Sequence, residues 1–448
     1  MQYNYFIRMD FKALYLRLRF WITDVLHGSP ILKPYKDVKF LTEHTYEEGR
    51  DIRNEKLKNL LKHASLYTEF YLGFSNKLED YPVMNKSLLL EHYNEICVDI
   101  KHLPWQKGKL HIQTTSGSTG TPFALPQDSR KRERRVAELK YFGKIVGFRS
   151  HDKLIHLRAW NKWQQKTSKQ IKKENIIPFD ISDMGDNRME ELCSLIADEN
   201  AICLRGYASS FDCLAKFVKN HPMPFPSLKV IIAGSEALHD ETRRTVKDTL
   251  QCEIISQYAN EECGILAQER IPTQDNDNVM YLNHASYFFE ILKLDSDSPA
   301  DYGELGRVVI TDLHNYAFPI IRYDTGDVGV LLPPDKFSNG YPILGKLYGR
   351  RMDVCYTPLG KPISPMAIGR IMKHFNDVKQ WQFVQVDNGT YLLKIIPYQK
   401  EEWFSRDSVV ESLTSLLGDG AQIQIEMIEE IPVLASGKRK MVINEWKK

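Results

Sequence analysis

The chain has 448 residues and a formal net charge of +2, with 42% hydrophobic and 26% charged residues. Such a composition belongs to a folded globular protein of about two to four domains and excludes a disordered or fibrous one. A balance so near neutrality gives no global electrostatic support for nucleic-acid binding.

The opening, MQYNYFIRMDFKALYLRLRFWITDVLHG, is aromatic and basic but interrupted by Asp10 and Asp24. It lacks both an apolar h-region and a small-residue cleavage site, so it does not read as a signal peptide. Residues 1–28 have two readings: an amphipathic helix packed on its own domain, or one in contact with a membrane surface or a partner. No run of about eighteen apolar residues occurs, so no transmembrane segment is predicted. The seven cysteines, Cys97, Cys193, Cys203, Cys213, Cys252, Cys263 and Cys355, are odd in number and form no C-x-x-C pair. They fit a reduced, cytoplasmic setting better than a disulfide framework or a zinc ribbon.

Helical spacing of apolar residues over 50–75 predicts a helix, followed by a turn at YPVMNKS. A second helix, PQDSRKRERRVAELKYFGKIVGF, has Asp128 or Ser129 as its cap, and its KRERR run reads as a solvated face. The β-rich runs KLIHL, NAICLRGY, LKVIIAGSEAL, CEIISQYA and GRVVITDL follow, with the helical stretches MEELCSLIADE, SFDCLAKFVKN and DETRRTVKDTL among them. This alternation predicts an α/β sheet with parallel pairing, whose functional loops lie at the C-terminal ends of the strands. Near the C-terminus the texture changes to a helix (PMAIGRIMKHF), a hairpin (WQFVQVDNGTYLLKIIP) turning at Asn388-Gly389, a helix (SVVESLTSLLG) and a last strand pair around IQIEMIEEIP. These predict a small α+β domain.

Between the first two helices, TTSGSTGTPF at 114–123 is hydroxyl-rich and uncharged. Composition alone would equally suit a linker. A loop of this kind entering a helix, however, offers backbone N–H groups and hydroxyls to an anion. Thr115, Ser116, Ser118 and Thr119 supply donors, while Gly117 and Gly120 allow close backbone approach. It is not a Walker A motif, which needs a lysine that residues 111–130 place only beyond their end.

Further stretches follow it in a recognisable order: IIAGSEAL at 231–238, SQYANEECG at 256–264, IIRYDTGDVG at 320–329, and YGRRMDV at 348–354 with LASGKRKMVI at 434–443. Together they resemble the adenylate-forming superfamily of acyl-CoA synthetases, luciferase and peptide-synthetase adenylation domains. Within it they are most similar to the phenylacetate–CoA ligase and CapK-like branch. The resemblance implies an α/β fold with a large N-terminal domain, residues 1–352 with 1–45 as an extension. A small mobile α+β domain, 353–448, completes it. It also implies ATP-dependent activation of a small carboxylic acid to acyl-AMP with Mg²⁺, then transfer to CoA or instead to an amine, a sugar or a carrier protein. CapK-like relatives suggest capsular polysaccharide biosynthesis as a setting.

By the same resemblance the 115–122 loop holds the β- and γ-phosphates, Ser235 and Glu236 flank the adenine, Tyr258 stacks on it, and Glu262 binds Mg²⁺. Asp327, beside Gly326, accepts from the ribose hydroxyls, and Arg350 contacts ribose or phosphate. Lys438 reaches the α-phosphate and its bridging oxygen, where a cation acts on charge developing in the transition state; Lys440 is the fallback. Asp353 is the hinge. Ala259 departs from the family's glycine, Glu261 from its serine or threonine, and Met352 from the first aspartate of its hinge motif. These departures bear on the substrate and the second half-reaction more than on adenylation. Cys263 and His284 alone lie near the place of a metal cluster found in some relatives, so zinc is not predicted. A nucleotide-binding protein without turnover is the reading from another class, opposed by the intact Glu262, Asp327 and Lys438. Tyr207, Ser209, Arg158 and Trp160 fall where relatives place acyl-pocket residues, with Arg158 either pairing an acidic substrate or structural.

Overall fold

The computed structural model describes residues 10–446 apart from 115–122, 159–166, 183, 273–277, 351–353, 364, 373, 376, 399–402 and 432–440. Three helices open it, α1 (Phe11–Leu26), α2 (Leu32–Glu43) and α3 (Tyr46–Tyr67). Thr45 starts the third: its hydroxyl accepts from the Glu48 N–H while the Glu48 carboxylate accepts from the Thr45 N–H. Short helices α4 (Lys86–Glu91) and α5 (Tyr93–Ile96) lead to a hairpin of β1 (His111–Thr114) and β2 (Ala124–Gln127), in which Thr114 pairs with Ala124. β2 is largely buried, whereas β1 is mostly exposed.

After α6 (Ser129–Ile145), strands and helices alternate: β3 (Leu154–Arg158), α7 (Ser168–Glu174), β4 (Ile176–Asp180), α8 (Asp186–Asp198), β5 (Cys203–Tyr207), α9 (Ala208–Asn220), β6 (Val230–Gly234), α10 (Asp240–Leu250) and β7 (Glu253–Asn260). Strands β3 to β7 pair in parallel, because each intervening helix returns the chain to the same edge. Helices α8, α9 and α10 bury Leu192, Phe211, Leu214 and Val246 with Leu204 and Ile231 of the sheet. From Asn260 to Arg350 no helix occurs among the described residues. There β8 (Gly264–Glu269), β9 (Met280–Leu282), β10 (Tyr287–Leu292), β11 (Leu305–Asp312), β12 (Tyr323–Leu332) and β13 (Ile343–Arg350) pair antiparallel. The expected parallel pairing therefore ends at β7, and GRVVITDL, as β11, is an antiparallel strand. All eleven form one sheet in the order β10-β11-β12-β13-β9-β8-β7-β6-β5-β3-β4.

The KRERR run is not a solvated face. Asp128 caps α6, and within its first two turns Lys131 and Arg134 are 0% and 1% exposed. Lys131, Arg134 and Glu138 recur at helical spacing, so one face carries all three inward. Lys131 Nζ lies 2.5 Å from the Asp312 carboxylate of β11 and donates to the Tyr287 hydroxyl of β10 at 3.1 Å. That hydroxyl donates to the Cys263 carbonyl at 2.7 Å. Arg134 donates to the Ser286 hydroxyl and the Ala285 carbonyl and pairs with Asp37 of α2.

The C-terminal part has its own core, built by Ile368, Phe383, Tyr391, Leu393, Val409 and Leu413. A two-stranded ladder of β14 (Cys355–Tyr356) and β15 (Pro362–Ile363) precedes α11 (Pro365–Met372). The predicted hairpin is β16 (Val378–Asp387) and β17 (Thr390–Pro397), with Gly389 at φ +70° in its turn. Beyond α12 (Arg406–Leu417), strands β18 (Gln422–Met427) and β19 (Val442–Asn444) do not form the expected last pair. They add in parallel to opposite sides of the hairpin, giving the order β18-β17-β16-β19.

Removing one member of a buried ion pair strands the other charge in the core, at a cost of about 3–5 kcal/mol. Lys131→Met should lower the urea unfolding free energy by that amount, and Lys131→Met/Asp312→Leu should recover part of it. A single variant within about 1 kcal/mol of the parent would mean that water reaches the pair.

Burial pushes His284 down to about 3 and His151 down to about 4, the latter with help from Lys140 and Arg17. Both are neutral when folded and free to take a proton when unfolded. Their contribution is thus fully present above the ordinary histidine value of about 6.5 and lost as pH falls toward about 4. Urea midpoints should fall steadily across that window, and His284→Gln should flatten the dependence; an equal slope in the variant would refute the assignment.

Candidate active site

The parallel strands end at one edge of the sheet. Arg158 closes β3, Tyr207 closes β5, and Gly234 closes β6, with Tyr207 in register with Gly234 and Gly234 with Gln257 of β7. Ser235 then turns the chain with φ +65°, a left-handed conformation that is costly for a residue with a side chain. The Glu236 carboxylate accepts from the Ser209 N–H in the first turn of α9 at 2.9 Å. A carboxylate at that helix end is favoured by the N-terminal partial charge.

Tyr258 and Asp327, 69 residues apart in sequence, meet here: the buried tyrosine's hydroxyl donates to the Asp327 carboxylate at 2.7 Å and lies 3.2 Å from the Thr325 hydroxyl. Gly326, at φ +77°, lets β12 present Asp327 without a Cβ penalty. Asp327 is in register with Arg350 of β13, so three of the predicted residues converge from three strands. The Arg350 side chain, the 115–122 loop, Trp160, Asp353, Lys438 and Lys440 lie outside the described residues.

Glu262 sits in the turn between β7 and β8 and is 8% exposed. Its carbonyl accepts from Gln127 of β2 at 2.9 Å, and the next carbonyl, of Cys263, is the one held by Tyr287. The turn is therefore clamped from two sides. Among the described residues no group of three or more His, Cys, Asp or Glu gathers to hold a metal ion. Magnesium bound through one carboxylate, with phosphate oxygens and water completing the shell, requires no such group, and Glu262 fits that donor set.

Glu261 does more than the sequence indicated. Its carboxylate accepts from Gln113 of β1 at 3.0 Å and pairs with Arg158 at 3.3 Å, while its carbonyl accepts from Arg135 of α6 at 2.9 Å. The charge it brings beside Glu262 is thus met by Arg158, whose partner is this glutamate. Burial raises the pKa of Tyr207, and the neighbouring Arg158 opposes the rise. No local signal reveals the Glu261–Arg158 pair, because 103 residues separate them.

One expectation fails. The phosphate loop does not enter a helix directly: β2 intervenes, and the N-terminus of α6 is filled by Asp128. Its Oδ1 accepts from the Lys131 N–H at 2.9 Å and its Oδ2 from the Tyr316 N–H at 2.8 Å. The N-terminus of α6 is thus already occupied by its own carboxylate.

Comparison with known proteins meets this geometry from two sides. Residues 355–445 match the family model of the CapK C-terminal domain. A solved 2-hydroxyisobutyryl-CoA ligase, in its postadenylation state with 2-HIB-AMP, superposes with a TM-score of 0.70 at 17% identity, covering 91% of this chain and 92% of that one. The chain has the adenylate-forming fold. The same ligase in its thioesterification state, with 2-HIB-AMP and CoA, gives a TM-score of 0.56 at 17% identity over 90% of each chain. In sequence, phenylacetate-coenzyme A ligase of Pseudomonas putida is 26% identical over 226 residues, 49% of this chain. That alignment spans 44% of the relative's length. Ser235, Tyr258, Glu262 and Asp327 lie on the strands and turns described above.

A hydrogen bond to a charged acceptor contributes about 1.5–3 kcal/mol. In a double-mutant cycle of Tyr258→Phe and Asp327→Asn read by urea unfolding, the two changes should couple by about 1 kcal/mol or more. Additive effects would show that the two side chains do not interact in solution.

Proposed function

We propose that the protein is an AMP-forming acid–thiol ligase that activates a small carboxylic acid with ATP and passes the acyl group to CoA. The observation that carries this reading is the convergence of Tyr258, Asp327 and the Arg350 position, beside a clamped turn bearing Glu262, in the fold of enzymes that carry out this reaction. A carboxylate oxygen of the acid attacks the α-phosphorus of ATP, the bond from that phosphorus to the bridging oxygen breaks, and pyrophosphate leaves. The thiolate of CoA then attacks the acyl carbon, and AMP departs.

Each side chain takes the task that the motif resemblance implies, with Tyr258 and Asp327 also joined to each other in the structure. Tyr258 fixes the Asp327 carboxylate so that it can accept from both ribose hydroxyls, and Arg350 lies one strand away for ribose or phosphate. Thr115, Ser116, Gly117, Ser118, Thr119 and Gly120 hold the outer phosphates, and Lys438 reaches the α-phosphate, where developing charge is largest. Glu262 would hold Mg²⁺, which neutralises phosphate charge when bound. Residues 353–448 act as a small domain that turns about Asp353 between the half-reactions, a role supported by their separate core. The use of ATP and CoA, with seven cysteines and no disulfide framework in the sequence, suits a cytoplasmic enzyme.

The test is pyrophosphate release from ATP and Mg²⁺ across a panel of aryl, fatty, hydroxy, amino and sugar acids, with hydroxylamine as the first acceptor and CoA as the second. Turnover with one acid class is expected, falling about 10²-fold or more in Lys438→Ala while ATP affinity changes only a few-fold. Silence across the panel by a protein that still binds ATP would overturn the ligase reading in favour of nucleotide binding without turnover.

A further inference from the structure

Helix α1 is fixed to the protein by one face. Its Arg17 donates to the Ser150 carbonyl and pairs with Asp152, the Trp21 ring meets Tyr35, and the Phe20 ring receives Lys140. Ala13 and Asp24 are buried on the same side, and the Asp24 carboxylate accepts from the N–H groups of Ile31 and Leu32 as α2 begins. These contacts set the rotation of the helix and leave the other face outward.

That outward face is apolar. Phe11, Leu14, Leu18, Ile22, Val25 and Leu26 are exposed, Phe11 by 72%, Ile22 by 58% and Leu26 by 79%. At about 100° per residue these positions and Tyr15 fall within an arc about 120° wide, on a helix about 24 Å long. The exposed charged residues within the helix are Lys12 and Arg19, and both project along one flank of the stripe. Of the two acids, Asp24 is turned inward and Asp10 caps the helix start by accepting from the Ala13 N–H. The exposed Lys33 and Lys36 of the adjoining α2 add basic charge.

We propose that α1 is a docking surface for an anionic lipid bilayer, lying in the membrane plane with its apolar stripe among the acyl chains. The stripe is wider than the narrow seam of a coiled coil, and its flank carries basic side chains whose stems can extend to the headgroups. A second copy is the poorer occupant. Packed antiparallel, two such helices would bring the flanks of Lys12 and Arg19 together with no acid on the flank to pair them. The assignment is independent of the ligase reading, since lipid binding requires neither ATP nor an acid.

Flotation of the full chain with vesicles tests this. Vesicles of phosphatidylcholine with about one-third phosphatidylglycerol should carry the protein upward, and phosphatidylcholine alone should do so weakly. Leu18→Glu/Ile22→Glu, both at exposed positions, should reduce binding more than about ten-fold with an unchanged unfolding midpoint. Lys12→Gln/Arg19→Gln should reduce it about five-fold for each charge removed and flatten its salt dependence. Failure of the folded parent to float with the anionic vesicles overturns the proposal, as does parental binding by either variant. Self-association lost in Leu18→Glu/Ile22→Glu, without vesicle binding, would instead assign the stripe to a second copy.

Discussion

A lysine and an aspartate with no access to water hold the site side of this molecule together. Lys131 comes from the helix after the β1–β2 hairpin, Asp312 from the antiparallel half of the sheet, and the Tyr287 hydroxyl links the lysine to the Cys263 carbonyl. Charges so deeply buried are tolerated only when each finds its partner, so the pair makes the position of α6 conditional on the position of β10 and β11. The turn carrying Glu262 lies at the end of that relay. A fold that misplaces the helix would thus misplace the turn that carries Glu262.

The same logic recurs one layer nearer the surface. Glu261 joins β1, β3 and α6 through Gln113, Arg158 and Arg135, all more than 100 residues from it in sequence. A hydroxyl at this position could not neutralise Arg158 or hold Gln113 at the same time. The carboxylate at this position is therefore matched by the groups around it.

Much of this was readable from the residues, and the exceptions have a common cause. Helical and strand periodicity located α3, α6, α8 to α10, β3, β5, β6, β7, β11 and the Asn388-Gly389 hairpin, because these signals are local. Motif order placed Tyr258, Glu262, Asp327 and Arg350 near one another, and the strand register brings the last pair together. Besides the parallel pairing that stops at β7, three expectations failed where the outcome depends on contacts distant in sequence. KRERR is half buried because carboxylates from α2 and β11 come to meet it. The loop after Thr114 ends in a strand because β1 exists to pair with it. Strands β18 and β19 find opposite edges because the hairpin between them offers two. Glu261 and Arg158 could not be paired for the same reason.

The hairpin of β1 and β2 belongs to neither large sheet, and its two strands are unequally held. Phe123 and Leu125 are fully buried in the main core, and Asn315 and Gln127 tie the second strand on both sides. The first strand has one neighbour and, beyond its ladder, the Gln113 amide. An isolated two-stranded ladder is marginally stable in water. Opening of β1 can therefore proceed as a sub-global event, with its own free energy, while the core stays closed. The lifetime of the β1–β2 ladder is then governed by its own few hydrogen bonds and the Gln113 side-chain contacts and is decoupled from the lifetime of the fold.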